Sequence, residues 1–401
     1  MLLVRMRELR ESRGWHHVRP NRVTYNSVIT AWARSGERGS SSSAERLLGE
    51  MYDEYNNYKQ KRGGSDSVGY DDDDLKPDSR SWNAVINAVA RSRDPDCADR
   101  ARSLLDEMGR LYDMGDIDLV PDAVTFGAVI NAYANSGASD ACDSAAQLLL
   151  HMESLYQLGY AGARPTTFVY NACMNAFAKD SLTGAGGGDG DVSSLDRAMR
   201  AEQLLDSMER RYDEGGDIGV MPDCISYGTV INAYANCNAG ESGDRADAVL
   251  RRMVRRCLMG ESGCRPNAVV FTAAIKAHLA SIVATQASAN DDDEEKEEKE
   301  KEKNEEQETE DDANDRPTTA MPRESLAVRK SGKIKRMEAY ANRCEDLLLE
   351  LCLLHKQSRK DERPSLRPTS VTFELVITAL THVKDEKGVD RVKRLRDLGT
   401  W

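Results

Sequence analysis

The chain has 401 residues and a net charge of −13, from 68 acidic and 55 basic residues. Sixteen acidic and four basic residues fall within Asp291–Asp315, a net −12, so the rest of the chain is close to neutral and the overall sign does not exclude an anionic partner. Nine cysteines without a CxxC pair or Cys/His zinc spacing, and six histidines without an HExxH motif, argue against a metal site and for reduced, packed thiols; no run of eighteen apolar residues predicts a membrane span, and the N-terminus does not read as a signal peptide.

In chain order, Leu2–Arg13 reads as the second helix of an earlier repeat. The chain therefore opens in mid-repeat, and a longer N-terminus is expected. Tyr25, Val28, Ile29 and Trp32 then lie at i, i+3, i+4 and i+7, one apolar stripe of a first helix. Ala44, Leu47, Leu48 and Met51 repeat that geometry on a second helix. Tyr55, four residues after Met51, predicts that this helix runs about a turn further. Pro77-Asp78 punctuates the connection, since proline cannot continue the preceding helix.

The same frame returns along the chain. The aromatics are Tyr25, Trp82, Phe126, Tyr170, Tyr227 and Phe271. The small residues are Ala44, Ala101, Ala145, Ala201 and Ala246, each followed seven residues later by Met51, Met108, Met152, Met208 or Met253. Setting boundaries after the closing proline pairs gives a partial repeat 1–21, repeats 22–78, 79–122, 123–166, 167–223, 224–267 and 268–369, and a partial repeat 370–401. Three repeats are 44 residues long; the longer ones carry insertions. These are an acidic tip at Asp71–Asp74, a Gly-rich stretch at Gly184–Asp191, and an acidic insertion over about 286–333. The last separates a first helix, Val269 to about Ser281, from a second, Tyr340–Leu354, and its composition predicts a disordered, solvated spacer. Neither apolar stripe is wide enough to be buried alone. Stacking the pairs buries both, which predicts an all-α solenoid.

The set aromatic-Asn-x-Val-Ile, Ala-x-x-Leu-Leu-x-x-Met and Pro-Asp resembles the pentatricopeptide repeat family over Arg22–Thr369. A tetratricopeptide-like solenoid shares the helix pair and the small Ala, but not the Tyr-Asn pair coupled to a closing Pro-Asp. The resemblance implies a right-handed superhelix that binds single-stranded RNA, one base per repeat. It implies a mitochondrial or chloroplast location and a role in RNA processing, stability, editing or translation. By the same resemblance, bases are read by Asn26 with Asp78, Asn83 with Asp122, Asn171 with Asp223, and Thr272 with Thr369. Gly127 with Thr166 and Gly228 with Asn267 are weak readers or spacers, since Gly offers no side-chain group to a base edge. Clamping positions are Val23, Arg80, Val124, Phe168, Ile225 and Val269, of which Arg80 departs from the apolar rule. Most repeats are nine residues longer than the family's usual unit.

Eight residues after each reader stand Arg34, Arg91, Asn135, Lys179, Asn236 and Ala280. The three Asn readers coincide with the three cations, which the resemblance implies can meet RNA phosphates. As plain helix-end cations they would complement the helix dipole instead. The implied site is U-U-any-U-any, followed by an undefined base. Two further classes remain. One is a protein-interaction scaffold using the same concave surface. The other is an enzyme, for which the repeats leave no stretch for a catalytic domain. No cofactor, metal or membrane partner is expected. The acidic insertion is read as a spacer, or as a segment that competes with RNA for a basic groove.

Overall fold

The stripes marked out by spacing are the buried faces of the helices. Tyr25 and Ile29 on one helix, and Ala44, Leu47, Leu48 and Met51 on the next, are withdrawn from solvent, as are Trp82, Ala101 and Met108 one repeat later. Burying each large side chain contributes roughly 1.5–3 kcal/mol. A computed structural model describes residues 2–13, 18, 20–35, 37, 39–61, 74–92, 94–138, 140–183, 194–308, 324–358, 366–383, 391–392 and 394–395. Among these residues the secondary structure is helical, without strands.

The α-helices are α1 (Leu2–Arg13), α2 (Arg22–Ser35), α3 (Ser40–Lys61), α4 (Ser79–Arg91), α5 (Cys97–Asp113), α6 (Ala123–Ser136) and α7 (Ala141–Gln157). They continue as α8 (Thr167–Thr183), α9 (Ser194–Asp213), α10 (Cys224–Asn236), α11 (Ser242–Leu258), α12 (Ala268–Glu308), α13 (Glu324–Ser358) and α14 (Ser370–His382). Each first helix from α2 to α14 begins on the first residue of a sequence repeat.

The chain forms two units, Met1–Ala185 with Asp206–Met221, and Gly186–Leu205 with Pro222–Trp401. In the first unit, α2, α4, α6 and α8 pack on one another in order, and α3, α5 and α7 each sit between their own first helix and the next. In the second unit, α10, α12 and α14 stack in the same way, with α11 and α13 seated between them. This is the helix-pair solenoid in which every pair completes the core of its neighbour. The helix α1 packs as a second helix does: Leu3 joins the core around Tyr25, and Arg7 binds the Tyr25 hydroxyl at 2.5 Å and the carboxylates of Glu50 and Glu54 on α3.

The additional length after four of the Met residues has one structural explanation. Four second helices run five residues beyond Met108, Met152, Met208 and Met253. A glycine with positive φ follows: Gly115 at 104°, Gly159 at 98°, Gly216 at 62° and Gly260 at 101°. After three of them the next residue donates to a carbonyl five residues back, as Asp116 does to Leu111, a closure that requires the left-handed conformation at the glycine. A short 3-10 turn comes next, Ile117–Leu119, Ala161–Ala163, Ile218–Val220 or Ser262–Cys264, and its third residue is buried as a plug.

Three features of the structure go beyond the sequence reading. The acidic insertion does not lack regular structure throughout, because α12 continues to Glu308. Glu and Lys, which fill this stretch, are good helix formers. The partner helix α13 likewise starts at Glu324, well before Tyr340. Finally, Ala268–Ser288 is long and apolar enough to cross a membrane, with a mean hydropathy of 1.6. More than half of its most apolar window is buried in the second unit, where α12 packs against α10, α11, α13 and α14. Asp71–Asp73 and Gly184–Asp191 lie outside the described residues. None of the nine cysteines is in a disulfide.

Candidate functional site

The second residue of every first helix faces solvent. Val23 is 69% exposed and Val269 74%, and Arg80, Val124, Phe168 and Ile225 are also exposed. The next two helical turns carry the buried stripe, so these side chains take no part in the core. An exposed apolar residue recurring at one register of a helix array marks a contact surface more than a solvated helix end. In the first unit, Val23, Asn26, Ser27 and Thr30 on α2 and Arg80 and Ala84 on α4 line an open cleft of about 490 Å3. It brings together a clamping position from each of two successive repeats and the reader of the first.

The residues that close the repeats are N-caps. The Asp78 carboxylate accepts from the Ser81 amide and hydroxyl, each at 3.0 Å. Asp122 accepts from the amides of Val124 and Thr125 at 2.9 Å, and Asp223 from the Ser226 amide at 2.8 Å. Each belongs to a capping box, as does Thr369 with Thr372. Asn267 accepts from the Val270 amide at 3.0 Å without one, and the Thr166 backbone carbonyl opens α8. A cap ties up part of each carboxylate that the sequence analysis assigned to base reading. The signal was present in the sequence as Ser81, Thr125, Ser226 and Thr372, each three residues after the closing position.

One of the pairs that the resemblance assigns to base reading is in hydrogen-bond contact. Asn83 Nδ2 donates to Asp122 Oδ1 at 3.2 Å, and the Thr125 hydroxyl donates to Asn83 Oδ1 at 2.6 Å. These two bonds fix which way the amide points. Asn83 is only 8% exposed, so it presents an edge of the amide and little else. Thr272 makes the corresponding contact with Thr372 at 3.0 Å, not with Thr369. Asn26 differs. Asp78 is engaged by Ser81 and by Arg22 at 3.4 Å, and Asn26 Oδ1 is buried without a partner. Asn171 is half-buried on α8 in the first unit; Asp223 caps α10 in the second.

The positions eight residues after the readers also divide. Arg34 and Arg91 are exposed in the last turns of α2 and α4, where they complement the helix dipole. Lys179 is not at a helix end, since α8 runs on to Thr183, and its ammonium donates to Asn135 Oδ1. Asn135 Nδ2 donates in turn to the Ala90 carbonyl at 3.1 Å. That amide thus bridges three successive first helices. In the second unit Lys276 donates to Asn236 Oδ1 at 2.8 Å. The Asn that accompanies each Gly reader is therefore a bridging residue, and not simply a missing cation.

The two Gly readers are not equivalent. A Cβ on Gly127 would stand 2.2 Å from Cε1 and 2.7 Å from Cδ1 of Phe168, so the ring lies directly on the Gly127 Cα. A Cβ on Gly228 would meet Cγ2 of the buried Val270 at 3.2 Å, a packing contact inside the core.

No protein-family model matches the chain, and no curated protein does. Among solved structures, similarity is found to the crystal structure of the pentatricopeptide repeat protein PPR10 from maize, with 15% identity and a TM-score of 0.28 over 99% of this chain and 47% of that one. The chain thus spans about half the length of that protein. The fold assignment stands on the helix order and packing within each unit. Among the described residues, no group of three or more His, Cys, Asp or Glu side chains is placed to hold a metal ion.

Proposed function

We propose that this chain is a single-stranded RNA-binding solenoid of the pentatricopeptide kind. Bases enter between successive first helices, against the exposed second residues, and meet the fifth-position side chain. The observation that carries this reading is the cleft between α2 and α4, where Val23, Arg80 and Asn26 line one open space. The oriented Asn83 amide one repeat later supports it, since a carboxamide held at both ends presents a fixed donor and acceptor to a base edge. Arg34, Arg80, Arg91 and Lys179 supply cations on the same first helices for phosphate contacts. The Asn readers favour uracil by resemblance, giving a site U-U-any-U-any, and the organellar setting belongs to the same reading. The test is fluorescence anisotropy of the full chain with single-stranded RNA oligomers across salt concentrations. Binding that weakens steeply with salt supports phosphate contacts, and a flat dependence removes them.

A second reading has its own observation. Met114, Ile117, Leu158 and Ile218 in the first unit, and Leu258 and Met259 in the second, are strongly exposed beside the glycine turns. An apolar residue repeated there suits a protein partner. Capture of the same partner with and without nuclease treatment separates this from a complex assembled on RNA.

A further inference from the structure

We infer that the glycine turns of the first unit form a docking strip for an amphipathic α-helix with basic flanks. The inference rests on the second reading above and names the chemistry of its partner. Met114, Ile117, Leu158 and Ile218 are each at least 76% exposed, although the turns that carry them touch one another. The Tyr112 and Tyr160 rings meet edge to face with centroids 6.3 Å apart, which joins the turns of the second and third repeats. Arg164 pairs with Asp217 and joins the third to the fourth. The three turns thus make one strip with an exposed apolar side chain on each.

Charge, backbone and spacing select the partner. Asp113 and Asp118 in the turn of the second repeat, and Glu214 in that of the fourth, are exposed. Lys76 lies 2.7 Å from both Asp116 and Asp118 and cancels one of those two charges. An acidic strip repels a phosphate backbone and attracts Lys and Arg, so it favours a basic protein segment over RNA. The turn amides are already used. Those of Asp116, Ile117 and Leu119, and of Gly159, Tyr160 and Ala163, donate to carbonyls of their own repeats. A strand added here would find no row of open amides, whereas a helix arrives with its own backbone satisfied. Packed helices lie roughly 8–10 Å apart, and seven residues of an α-helix rise about 10 Å. Successive turns therefore match apolar residues seven apart on the partner. In the second unit, Leu258 and Met259 stand beside the exposed Arg255, so the acidic pattern belongs to the first unit.

The experiment titrates the full-length chain into labelled Ala-rich helical peptides of three heptads and reads anisotropy. One peptide carries Leu at every seventh residue with Lys beside each Leu. A second has the same composition with the Leu residues scattered around the helix, and a third has Glu in place of Lys. The first is expected to bind, and the other two at least about tenfold more weakly. Leu158→Gln and Ile117→Gln should each cost about tenfold, the loss for withdrawing part of one apolar side chain from the contact. Glu214→Gln should cost a few-fold, mainly in association rate, and Met259→Gln in the second unit nothing. All four side chains are exposed, and circular dichroism melts verify that the variants fold. Equal binding of the scattered peptide, or a Leu158→Gln variant that binds as the parent does, would overturn the inference. So would displacement of the peptide by a uridine oligomer, which would give the strip to RNA, or a dimer of the parent lost in Leu158→Gln by sedimentation, which would give it to a second copy. If no peptide binds but Leu158→Gln abolishes nuclease-resistant capture of a partner, this inference alone falls; if Leu158→Gln changes neither, the second reading falls with it.

Discussion

The Thr125 hydroxyl stands 2.6 Å from Asn83 Oδ1, across the boundary between two repeats. The same hydroxyl lies 3.0 Å from the Asp122 amide and closes the capping box of α6. One threonine thus starts a helix and orients the reader of the preceding repeat. Thr125→Val keeps the volume and leaves Asn83 Oδ1 without this donor. It should lower the stability of the first unit by about 1–3 kcal/mol, measured as a shift in the urea midpoint. Base preference at the second repeat should relax at the same time, while overall affinity changes less.

Asp78 and Asp122 are N-caps; the proposed function also pairs them with Asn26 and Asn83, and two substitutions at Asp122 separate the roles. Asp122→Asn preserves an N-cap acceptor and should cost no more than a few tenths of a kcal/mol. Asp122→Ala removes it and should cost about 1–2 kcal/mol. The Asn variant therefore tests base reading in a folded protein, with circular dichroism melts to verify the fold.

The glycine turns make an internal comparison. Gly115, Gly159 and Gly260 hold φ near 100°, and alanine at any of them should destabilise by about 1 kcal/mol or more. Gly49 lies within α3 with open space around its Cβ position. Gly49→Ala should instead stabilise by about 0.4–1 kcal/mol. Melting temperatures of the four variants would show opposite signs.

His278 gives the second unit a pH dependence. It is buried on α12, its ring nitrogens have no partner, and burial pulls its pKa down to about 4. Asp244, Asp247 and Arg251 on α11 and Tyr340 and Arg343 on α13 surround it. Because the folded value lies below the ordinary 6.5, the unfolded chain binds the extra proton first. Stability is fully present above about pH 6.5 and is lost as pH falls towards 4, at up to about 1.4 kcal/mol per pH unit. Urea unfolding of His278→Leu should be flatter than the parent between pH 4 and 6.5. An unchanged slope would assign the acid sensitivity to other groups.

Much of the fold was legible because the aromatic, Ala and Met positions are core positions at helical spacing, and helical spacing is visible in a sequence. The extra length after Met108, Met152, Met208 and Met253 was visible as a count and not as a structure. Its explanation lies in Gly115, Gly159, Gly216 and Gly260, whose recurrence was available but whose φ was not. The site was less legible, for a physical reason: an Asp before a helix satisfies the first-turn amides whether or not it also meets a base. The family resemblance could pair Asn83 with Asp122, but could not show Thr125 joining them or Phe168 lying on Gly127. The division between cation and Asn at the later position was read from one column of residues; the bonds from Lys179 to Asn135 and from Asn135 to Ala90 give it a packing origin. The helix continuing to Glu308 was missed because acidity was weighed above the helix propensity of the same Glu and Lys residues.

The central claim is that successive first helices bind single-stranded RNA and that Asn26, Asn83 and Asn171 select uracil. The most direct measurement is the affinity of the full-length chain for an RNA oligomer carrying the U-U-any-U-any site, against the same oligomer with adenine at the three U positions. The account predicts clearly tighter binding of the uracil oligomer, with both affinities falling as salt rises. Equal affinity for the two oligomers would contradict base selection by the three Asn residues, and no binding to either would contradict the RNA-binding solenoid itself.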